Sequence, residues 1–466
     1  MQLRPYQQQA FEALRGAYRQ RHRAVLLAAA TGAGKTILIV AAAQGAIEKG
    51  NAVLVIAHRI ELIRQASAKL RAAGFAHGII APGYPQTLDR IQVGSVQTLA
   101  RRLPRLPRFD LIVIDEAHHA VASQYQALLD SQPQARVLGV TATPSRLDGR
   151  GLGRASGGIF DVLVVGPQTA ELVGGGYLSP TRVFAPAKGA PDLAGIKTVA
   201  GDYDQRQLAE IMDQARVTGD AVAEYARRCP GAPAIAFCVS VQHAQDVAAA
   251  FVAAGWRAVA AYGAMPARER DEALSGLADG RVQVVCSCSL IDEGLDVPRV
   301  GCVIDLAPTK SLGRFLQRVG RGLRPYAGKE RLVVLDHAGN TQVHGFAETP
   351  REWSLDGRKH RQAAPAIRQC PQCYAVFQPQ HRCPACGHEF VAAPRARMVE
   401  AVAGELVELR PEDVAPVKRA DMRAGLAGCE TLADMQALAR RLGFKPGWAW
   451  VQWQMRKRGR RQGAAA

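Results

Sequence analysis

The residues best suited to chemistry form a short loop of small side chains near the start of the chain. An apolar run, residues 24–30, leads into this loop, and a second apolar run, residues 37–43, reads as the helix after it. A strand, a small-residue loop ending in Gly-Lys-Thr and a helix form the arrangement that cradles phosphate oxygens with backbone N–H groups. Lys35 would reach the outer phosphates and the Thr36 hydroxyl would bind Mg²⁺. The predicted phosphate-binding residues are Thr31, Gly32, Ala33, Gly34, Lys35 and Thr36.

A pair of adjacent carboxylates follows another apolar run. Residues 111–114 read Leu-Ile-Val-Ile and lead directly into Asp115, Glu116, Ala117 and His118. Two carboxylates at the end of a buried strand are costly unless they are used. Asp115 would hold Mg²⁺ opposite Thr36, directly or through water, and Glu116 would orient or deprotonate an attacking water. Together with the phosphate loop, this pair predicts hydrolysis of a bound nucleotide.

Polar side chains also follow other apolar runs. Ser95, Gln97 and Thr98 come after residues 91–94, and the first residues after the run 53–57 are His58 and Arg59. Such groups could bond the phosphates of a nucleic acid without reading its sequence. For the serine, glutamine and threonine, a polar loop with helix N-cap chemistry is an equally good interpretation.

The elements that must position these groups are apolar strands alternating with helices. This pattern indicates parallel sheets covered by helices on both faces, an α/β fold. Two such series are present, and we predict a first domain at residues 1–165, a linker at 166–182 and a second domain at 183–345. The glycines between residues 149 and 176 indicate a mobile surface loop that leads into the linker.

Four arginines recur every three or four residues near the end of the second series. Arg314, Arg318, Arg321 and Arg324 would lie on one face of a helix and at its exit. Unpaired guanidiniums on one face would repel each other, so the pattern favours contact with phosphate.

The composition favours a polyanionic partner. The chain has 466 residues, a net charge of +18 and a pI near 9.8, which favours nucleic acid over the alternative of an arginine-rich coding habit. No apolar run approaches 18 residues and the N-terminus does not resemble a signal peptide, so we expect a cytoplasmic protein with no membrane partner.

Four cysteines after residue 368 have the spacing of a metal site. Two Cys-Pro-X-Cys pairs place Cys370, Cys373, Cys383 and Cys386 where they could surround Zn²⁺ tetrahedrally. His388 is the alternative ligand, and a redox pair is the alternative function. We predict a linker at 346–368 and a structural zinc ribbon at 369–392, whose partner is left open.

The last predicted region, residues 393–466, is basic and helical. Residues 432–442 have an apolar face of helical period that ends at Gly443. We expect Trp448 to pack in a core and the basic run at 456–461 to contact phosphate.

These stretches together resemble the superfamily 2 helicases with tandem RecA-like domains. The likeness covers about residues 1–345 and rests on six stretches in register: Gln7, 31–36, 115–118, 141–143, 294–296 and 317–324. The residues of these motifs are similar to those of the type III restriction/UvrB-like branch, with the closest likeness to RadD-type DNA-repair ATPases and related phage helicases. This likeness implies a nucleoid-associated protein of bacterial or phage origin. Glu293 and Cys288 depart from the DEAD-box pattern, which puts strand contacts by their loop in doubt.

The resemblance implies further roles in a site for ATP and Mg²⁺. Arg4 and Gln7 would recognise adenine, and Asp296 would contact the ribose. Gln317 would face the γ-phosphate, while Arg321 and Arg324 would act as arginine fingers. The residues that would couple the nucleotide to the bound strand are His118, Thr141 and Thr143.

The expected function is an ATP-dependent motor on single-stranded, forked or branched DNA, acting in repair, recombination or replication. Single-strand-binding protein or recombination factors are possible partners of such a motor. A nucleotide-switched scaffold that does not separate strands and an RNA-remodelling helicase are the alternatives, because ATPase motifs alone do not reveal strand separation.

Overall fold

Two largely parallel sheets, with the helices that cover them, make up most of the described part of the chain. The computed structural model describes residues 3–120, 123–146, 149–185, 193, 196–199, 202–212, 215–288, 297–357, 368–370, 372–378, 380–390, 429, 431–441, 449 and 453. The chain divides into two units, residues 1–392 and 393–466, and each is described by itself. The predicted fold class is confirmed: both sheets have the tandem RecA-like arrangement, and the four cysteines cluster after them.

The first sheet and its helices are called lobe 1. Its seven strands are all parallel and lie in the order β3-β4-β2-β5-β6-β1-β7. The strands are β1 Ala24–Ala28, β2 Val53–Ala57, β3 Gly78–Ile80, β4 Ile91–Ser95, β5 Leu111–Asp115, β6 Arg136–Thr141 and β7 Val162–Val165. The helices are α1 Pro5–Arg19, α2 Lys35–Ile47, α3 Ile60–Ala72, α4 Val96–Arg101 and α5 Ser123–Ser131.

The second sheet and its helices are called lobe 2, and α6 (Thr169–Gly174) lies in the connection that leads to it. Its strand order is β12-β13-β11-β14-β15-β8-β17-β16, in which the last two strands are antiparallel additions. The strands are β8 Thr181–Phe184, β11 Ala234–Phe237, β12 Ala258–Tyr262, β13 Val284–Cys288, β14 Cys302–Asp305, β15 Leu332–Asp336, β16 Arg368–Gln369 and β17 Ala375–Phe377. A separate hairpin consists of β9 Thr198–Val199 and β10 Asp202–Tyr203. The helices are α7 Gln205–Met212, α8 Ala215–Arg228, α9 Val241–Ala253, α10 Ala267–Asp279, α11 Leu312–Gly320 and α12 Asn340–His344.

The central strands are apolar throughout because helices cover both faces of each sheet. In β1, Val25 and Leu27 point to one apolar cluster, whereas Leu26 points to a second cluster on the opposite face. Each of these side chains is fully buried, which contributes roughly 1.5–3 kcal/mol per side chain to folding. The same alternation recurs in β2, so lobe 1 is held from both sides.

The glycine-rich stretch after β6 is packed, and the expectation of a mobile surface loop there is wrong for the described residues 149–160. Leu152 and Phe160 are fully buried against the lobe 1 core. A Cβ atom at Gly158 would lie 2.0 Å from the carbonyl oxygen of Leu152, and one at Gly151 would lie 1.9 Å from that of Leu355. These glycines allow close approach of backbones, a requirement that composition cannot distinguish from flexibility.

Residues 346–357, called the return segment, leave lobe 2 and bind lobe 1. The backbone N–H of Arg351 donates to Gln168 Oε1 (2.8 Å), and Gln168 Nε2 donates back to the carbonyl of Arg351 (3.1 Å). Further along, the backbone N–H of Gly153 donates to the carbonyl of Leu355 (3.0 Å), whose side chain packs on the lobe 1 core. The Arg351 side chain is buried and donates to carbonyl oxygens of residues 344–349. Much of this stretch, predicted as linker, is therefore tightly bound structure.

The second unit is described at one helix and three single residues. Helix α13 covers Leu432–Arg441, and Gly443, which is expected to end it, lies outside the described residues. Met435 and Leu438 are buried in an apolar cluster with Cys429 and Ala449, against which Trp453 packs. Trp448 and the basic run 456–461 lie outside the described residues.

Candidate nucleotide site between the lobes

The phosphate loop runs from the end of β1 to the first residue of α2. Gly32 and Gly34 have φ values of +87° and +82°, a left-handed conformation that favours glycine. Gly34 is the residue before α2, so Lys35 is the first helical residue and the free N–H groups of the helix face the loop. A Cβ atom at Gly34 would also lie 2.5 Å from Gln7 Nε2. The backbone therefore has the form that an anion-binding loop requires.

The start of α1 is fastened to the same loop. The Tyr6 hydroxyl and Gln7 Nε2 both donate to the carbonyl of Ala33, each over 3.2 Å. Gln7 Oε1 accepts from the backbone N–H of Arg4 (3.0 Å). The buried Gln7 amide thus links the predicted base-recognition residues to the phosphate loop, and one further N–H and one lone pair remain for a ligand.

An aromatic residue on the connection between the lobes, Tyr177, packs beside the start of α1. The Tyr177 ring lies edge-on to the Tyr6 ring, with centroids 4.8 Å apart, and the Arg4 guanidinium lies 5.2 Å from the centroid of Tyr177. The next residue, Leu178, is buried against the phosphate loop, 2.8 Å from where a Cβ atom of Gly32 would lie. Neither Tyr177 nor Leu178 is among the residues predicted from the sequence. An aromatic residue directly after three glycines was the available signal.

The acidic pair lies at the end of β5, at the same edge of the sheet as the phosphate loop. Glu116 has a left-handed backbone (φ 48°), and its N–H donates to Asp115 Oδ1 (2.9 Å). Its carboxylate is buried, and Glu116 Oε2 lies 3.5 Å from His118 Nδ1. A left-handed backbone is strained for a residue with a side chain, and such strain occurs at functional sites.

The coupling residues form a connected group beside this pair. His118 Nδ1 lies 3.2 Å from Thr141 Oγ1, and the Thr141 hydroxyl donates to the carbonyl of Thr143 (3.1 Å). The Thr143 hydroxyl lies 2.9 Å from where a Cβ atom of Gly313, in α11, would be. The group therefore extends from the acidic pair to lobe 2.

Helix α11 faces the phosphate loop directly. A Cβ atom at Gly320 would lie 2.2 Å from Thr31 Cγ2, so only a glycine permits this contact. A small cleft between the lobes is lined by Thr31 of the loop, Leu316 of α11 and Leu323 after it. Gln317 is buried, and its Nε2 atom has no hydrogen-bond partner among the described residues, as is also true of Thr31 Oγ1. Unsatisfied buried polar groups on the phosphate loop and on the helix that faces it fit a site that binds a polar ligand.

Two of the four arginines predicted to face phosphate follow directly after α11. Arg321 and Arg324, the predicted fingers, are half-buried after Gly320, and burial lowers the pKa of Arg324. The Ser179 N–H donates to the carbonyl of Leu323 (2.7 Å), and Lys329 Nζ donates to that of Arg324 (2.7 Å). Burial also lowers the pKa of Lys329, to about 8.

The other two arginines are neutralised within lobe 2, so the expectation of four guanidiniums facing phosphate is wrong for Arg314 and Arg318. Arg318 is buried and lies 3.1 Å from Asp305 Oδ1. Arg314 lies 2.8 Å from Asp202 Oδ2, and Asp202 also accepts from the Thr309 hydroxyl (2.7 Å). Both carboxylates are distant in sequence or on another element, so helical spacing could not reveal them.

The predicted strand-contact residues are spread along the sheet edge. His58 and Arg59 are half-buried directly after β2, where Arg59 precedes α3. The Ser95 hydroxyl donates to Gln97 Oε1 (2.6 Å), with Gln97 exposed, whereas Thr98 is buried in α4. Thr98 therefore does not present its hydroxyl at the surface. Asp296, the predicted ribose contact, lies outside the described residues.

Comparison with known proteins identifies the family. The family model for the type III restriction enzyme res subunit matches residues 1–146, and that for the helicase conserved C-terminal domain matches residues 218–325. A 51.5 kDa protein of a Lactococcus phage (isolate 7-9) is 31% identical over 365 residues, which cover 77% of this chain and 76% of the phage protein. The chain belongs to the superfamily 2 helicases, in their restriction-enzyme-like branch. Its enzymatic class is therefore that of a superfamily 2 helicase ATPase.

Other helicases and a restriction enzyme have the same architecture. The putative ATP-dependent helicase IRC3 of Saccharomyces cerevisiae is 28% identical over 380 residues, covering 75% of this chain but 53% of IRC3. The DNA 3'-5' translocase XPB2 of Sulfurisphaera tokodaii is 26% identical over 379 residues, covering 72% of this chain and 81% of XPB2. A fragment of a putative HsdR subunit of a type I restriction enzyme from Vibrio vulnificus YJ016 has the same fold, with a TM-score of 0.57 and 21% identity over 73% of this chain and 66% of the fragment.

The four cysteines of the helicase come together at the β16–β17 edge of the second sheet. Their Sγ atoms all lie within 4.8 Å of one another, with Cys370 and Cys386 3.6 Å apart and Cys373 and Cys383 3.5 Å apart. Four sulfurs at ~2.3 Å from one Zn²⁺ ion would be about 3.8 Å apart, so the cluster fits a tetrahedral site. His388 is not part of this cluster.

The cysteine cluster is attached to lobe 2 of the helicase. Strand β17 pairs with β8, and Arg228 Nη2 donates to the carbonyl of Cys373 (2.9 Å). The same guanidinium lies 4.0 Å from the centroid of the Phe184 ring in β8. Among the described residues, no helix is long and apolar enough to cross a membrane.

Proposed function

We propose that this chain couples ATP hydrolysis to movement on, or remodelling of, DNA in repair, recombination or replication. The observation that supports it most strongly is the contact between Thr31 and Gly320, because it joins the phosphate loop to the helix that carries the predicted arginine fingers. The net charge of +18 fits a polyanionic partner. The DNA translocase XPB2 is similar over most of its length.

The proposed nucleotide lies between the lobes. Arg4 and Gln7 recognise the adenine, and Lys35 contacts the outer phosphates. Thr36 and Asp115 hold Mg²⁺, which would supply charge neutralisation at the phosphates when bound. Their positions at one edge of a parallel sheet fit this role, since ligands of open α/β sheets bind outside the carboxyl ends of the strands.

The hydrolytic step depends on groups from both lobes. Glu116 orients or deprotonates the attacking water, and its buried carboxylate beside His118 fits such a role. Gln317 faces the γ-phosphate, and Arg321 and Arg324 stabilise the charge that develops during transfer, a contribution of ~10³–10⁵ in rate in related enzymes. Because these groups lie across the cleft, closure of the lobes would switch hydrolysis on.

The bound strand is proposed to lie along the edges of both lobes, with His58, Arg59, Ser95 and Gln97 among its contacts. Such binding would be mainly to phosphate and would weaken steeply with salt. We propose single-strand-binding protein or recombination factors as partners, and a cytoplasmic, nucleoid-associated location.

The proposal is tested by the ATPase rate of the purified protein, alone and with single-stranded DNA, forked duplex or RNA. We expect strong stimulation by DNA, and loss of turnover in Lys35→Ala and Glu116→Gln. Lys49→Ala is the matched control, because Lys49 is exposed just beyond the other end of α2 and should retain full activity.

Other outcomes separate the alternatives. Stimulation by RNA alone would indicate an RNA-remodelling helicase. DNA-stimulated hydrolysis without unwinding or displacement would favour the nucleotide-switched scaffold, and full turnover in Lys35→Ala would reject the site itself. Hydrolysis that is indifferent to every nucleic acid would reject the proposed substrate.

We also propose that the four cysteines bind one structural Zn²⁺ ion. The close sulfurs and the pairing of β17 with β8 support this, and the ion would stabilise the outer edge of lobe 2. We expect one zinc per chain by elemental analysis, lost in Cys383→Ser together with a lower melting temperature. Cys288→Ser, which changes a half-buried thiol outside the cluster, should retain the metal. Wild-type protein without zinc, or full zinc content in Cys383→Ser, would contradict the proposal.

A further inference from the structure

Three histidine rings form a continuous stack at the edge of lobe 1. The ring centroids of His58 and His119 are 4.3 Å apart, and those of His119 and His118 are 4.1 Å apart. The planes are tilted by 50° and 42°, so each ring packs on the face or edge of the next. His119 is therefore the middle member, and no role was assigned to it above.

One end of this stack lies at the acidic pair. Residues Ala117–His119 form a single 3₁₀ turn, so a displacement of the His119 ring is passed to His118 through both backbone and ring contact. His118 is buried and lies between Glu116 Oε2 (3.5 Å) and Thr141 Oγ1 (3.2 Å). The orientation of the Glu116 carboxylate thus depends on where the His118 ring is held.

The other end lies in the loop where a strand is proposed to bind. His58 comes directly after β2 and is followed by Arg59, the residue that precedes α3. A nucleic acid phosphate bound at this loop would contact residues that are one ring away from His119. The three rings thus form a contact path in lobe 1 between that loop and Glu116.

We propose that His119 is a positioning residue that transmits strand binding at the His58 loop to the Glu116 carboxylate. The inference rests on the proposed function, because it requires hydrolysis to be stimulated by a nucleic acid. The transmission is by ring packing: a strand that fixes His58 fixes His119, which in turn holds His118 against Glu116 and Thr141. Without the middle ring, a strand would still bind and ATP would still be hydrolysed at the basal rate, but the two events would be independent.

The test compares His119→Ala with His119→Phe and with wild type. We expect His119→Ala to keep the basal ATPase rate and the affinity for single-stranded DNA within about twofold, while the stimulation at saturating DNA falls at least tenfold. His119→Phe retains an aromatic ring and should restore most of the stimulation. His22→Ala removes another half-buried histidine of lobe 1 and is the matched control, with full stimulation expected.

A double-mutant comparison tests the stack itself. At saturating DNA, His58→Ala should lower the stimulated rate, and addition of His119→Ala should lower it little further, because both changes break one chain of contacts. Additive losses would overturn the proposal. So would equal losses of basal and stimulated rate in His119→Ala, or unchanged stimulation in that variant.

The two proposals fail in different ways. Absence of stimulation in the wild-type protein would reject the proposed function. Normal stimulation in both wild type and His119→Ala would reject only the role of His119. If His119→Ala does not fold, DNA stimulation of the ATPase rate is compared between His119→Phe and His119→Leu, which has an apolar side chain without a ring. Stimulation that is kept in His119→Phe and lost in His119→Leu supports the role of His119, and equal stimulation in the two variants rejects it.

Discussion

The carboxyl-terminal edges of the two sheets are built from similar strands, but a buried carboxylate at each edge has different partners. At the edge of lobe 1, Glu116 Oε2 has no hydrogen-bond partner among the described residues, although His118 Nδ1 lies 3.5 Å away, and the buried Thr31 Oγ1 atom has none there either. At the edge of lobe 2, Asp305 is bound by Arg318 (3.1 Å) and by Asn340 Nδ2 (2.7 Å). The carboxylate of lobe 2 therefore holds α11 in place, whereas that of lobe 1 is proposed to act on a ligand.

This difference separates two kinds of arginine on one helix. Arg318 is held near the C-terminal end of α11 by a carboxylate of the lobe 2 sheet, and Arg321 follows Gly320, which lies against Thr31 of the phosphate loop. We expect the Arg318 ion pair to fix the position of this end of the helix. The same ion pair would then fix the position of the predicted arginine finger at Arg321.

The largest expected effect that tests this comparison is on stability. Arg318→Ala removes one partner of a buried ion pair and leaves Asp305 uncompensated, which should lower the free energy of unfolding by ~3–5 kcal/mol. Chemical denaturation monitored by circular dichroism measures this loss. Arg331→Ala, in an exposed pair with Glu330, is the control and should change stability by ~1 kcal/mol or less.

The same experiment on lobe 1 sharpens the comparison. Lys35→Ala should abolish turnover and leave the free energy of unfolding within about 0.5 kcal/mol of wild type, as expected for a change that breaks no buried network. The comparison would be contradicted if the Arg318→Ala variant had the same free energy of unfolding as wild type. It would also be contradicted if Lys35→Ala lowered that free energy as much as Arg318→Ala.

A smaller effect is expected from the second carboxylate of the lobe 2 network. Burial and the nearby Asp305 raise the pKa of Asp336 to about 6, although it accepts from the N–H groups of Asn340 and Thr341. The folded state then binds a proton more tightly than the unfolded state. Protonation of Asp336 therefore contributes most to the free energy of unfolding below about pH 4, the pKa of the side chain in the unfolded chain. This contribution is lost as the pH rises through about 6, a change of ~3 kcal/mol at most.

Asp336→Asn checks this pH dependence. The difference in free energy of unfolding between wild type and the variant should change between pH 4 and pH 7, with wild type losing stability relative to the variant as pH rises. Glu330→Gln, at an exposed position of lobe 2, should give a curve parallel to wild type. A parallel curve for Asp336→Asn would contradict a raised pKa.

Local patterns were enough to predict the fold and much of the cleft. The apolar runs that became β1, β2 and β5 are short, continuous and followed by functional residues, so their type and position could be derived from sequence. The phosphate loop and the acidic pair were predicted for the same reason. In each case the chemistry depends on residues that are adjacent in the chain.

Contacts between distant residues could not be predicted in this way. Asp202 is 112 residues from Arg314, and its hairpin has no sequence signature that links it to α11. Gly151 was interpreted as flexible because its partner backbone, that of Leu355, is distant in the sequence. Tyr177 was missed because its contacts to Arg4 and Tyr6 exist only once lobe 1 is assembled.

The return segment has a mechanical consequence. The chain passes from lobe 1 to lobe 2 through residues 166–180, and the return segment joins the lobes a second time, through Leu355 at Gly153 of lobe 1 and through Arg351 at Gln168 of the connection. A second attachment limits the relative motions of two bodies that are otherwise joined by one chain segment. We therefore expect the lobes to open and close over a narrower range of orientations than a single linker would allow.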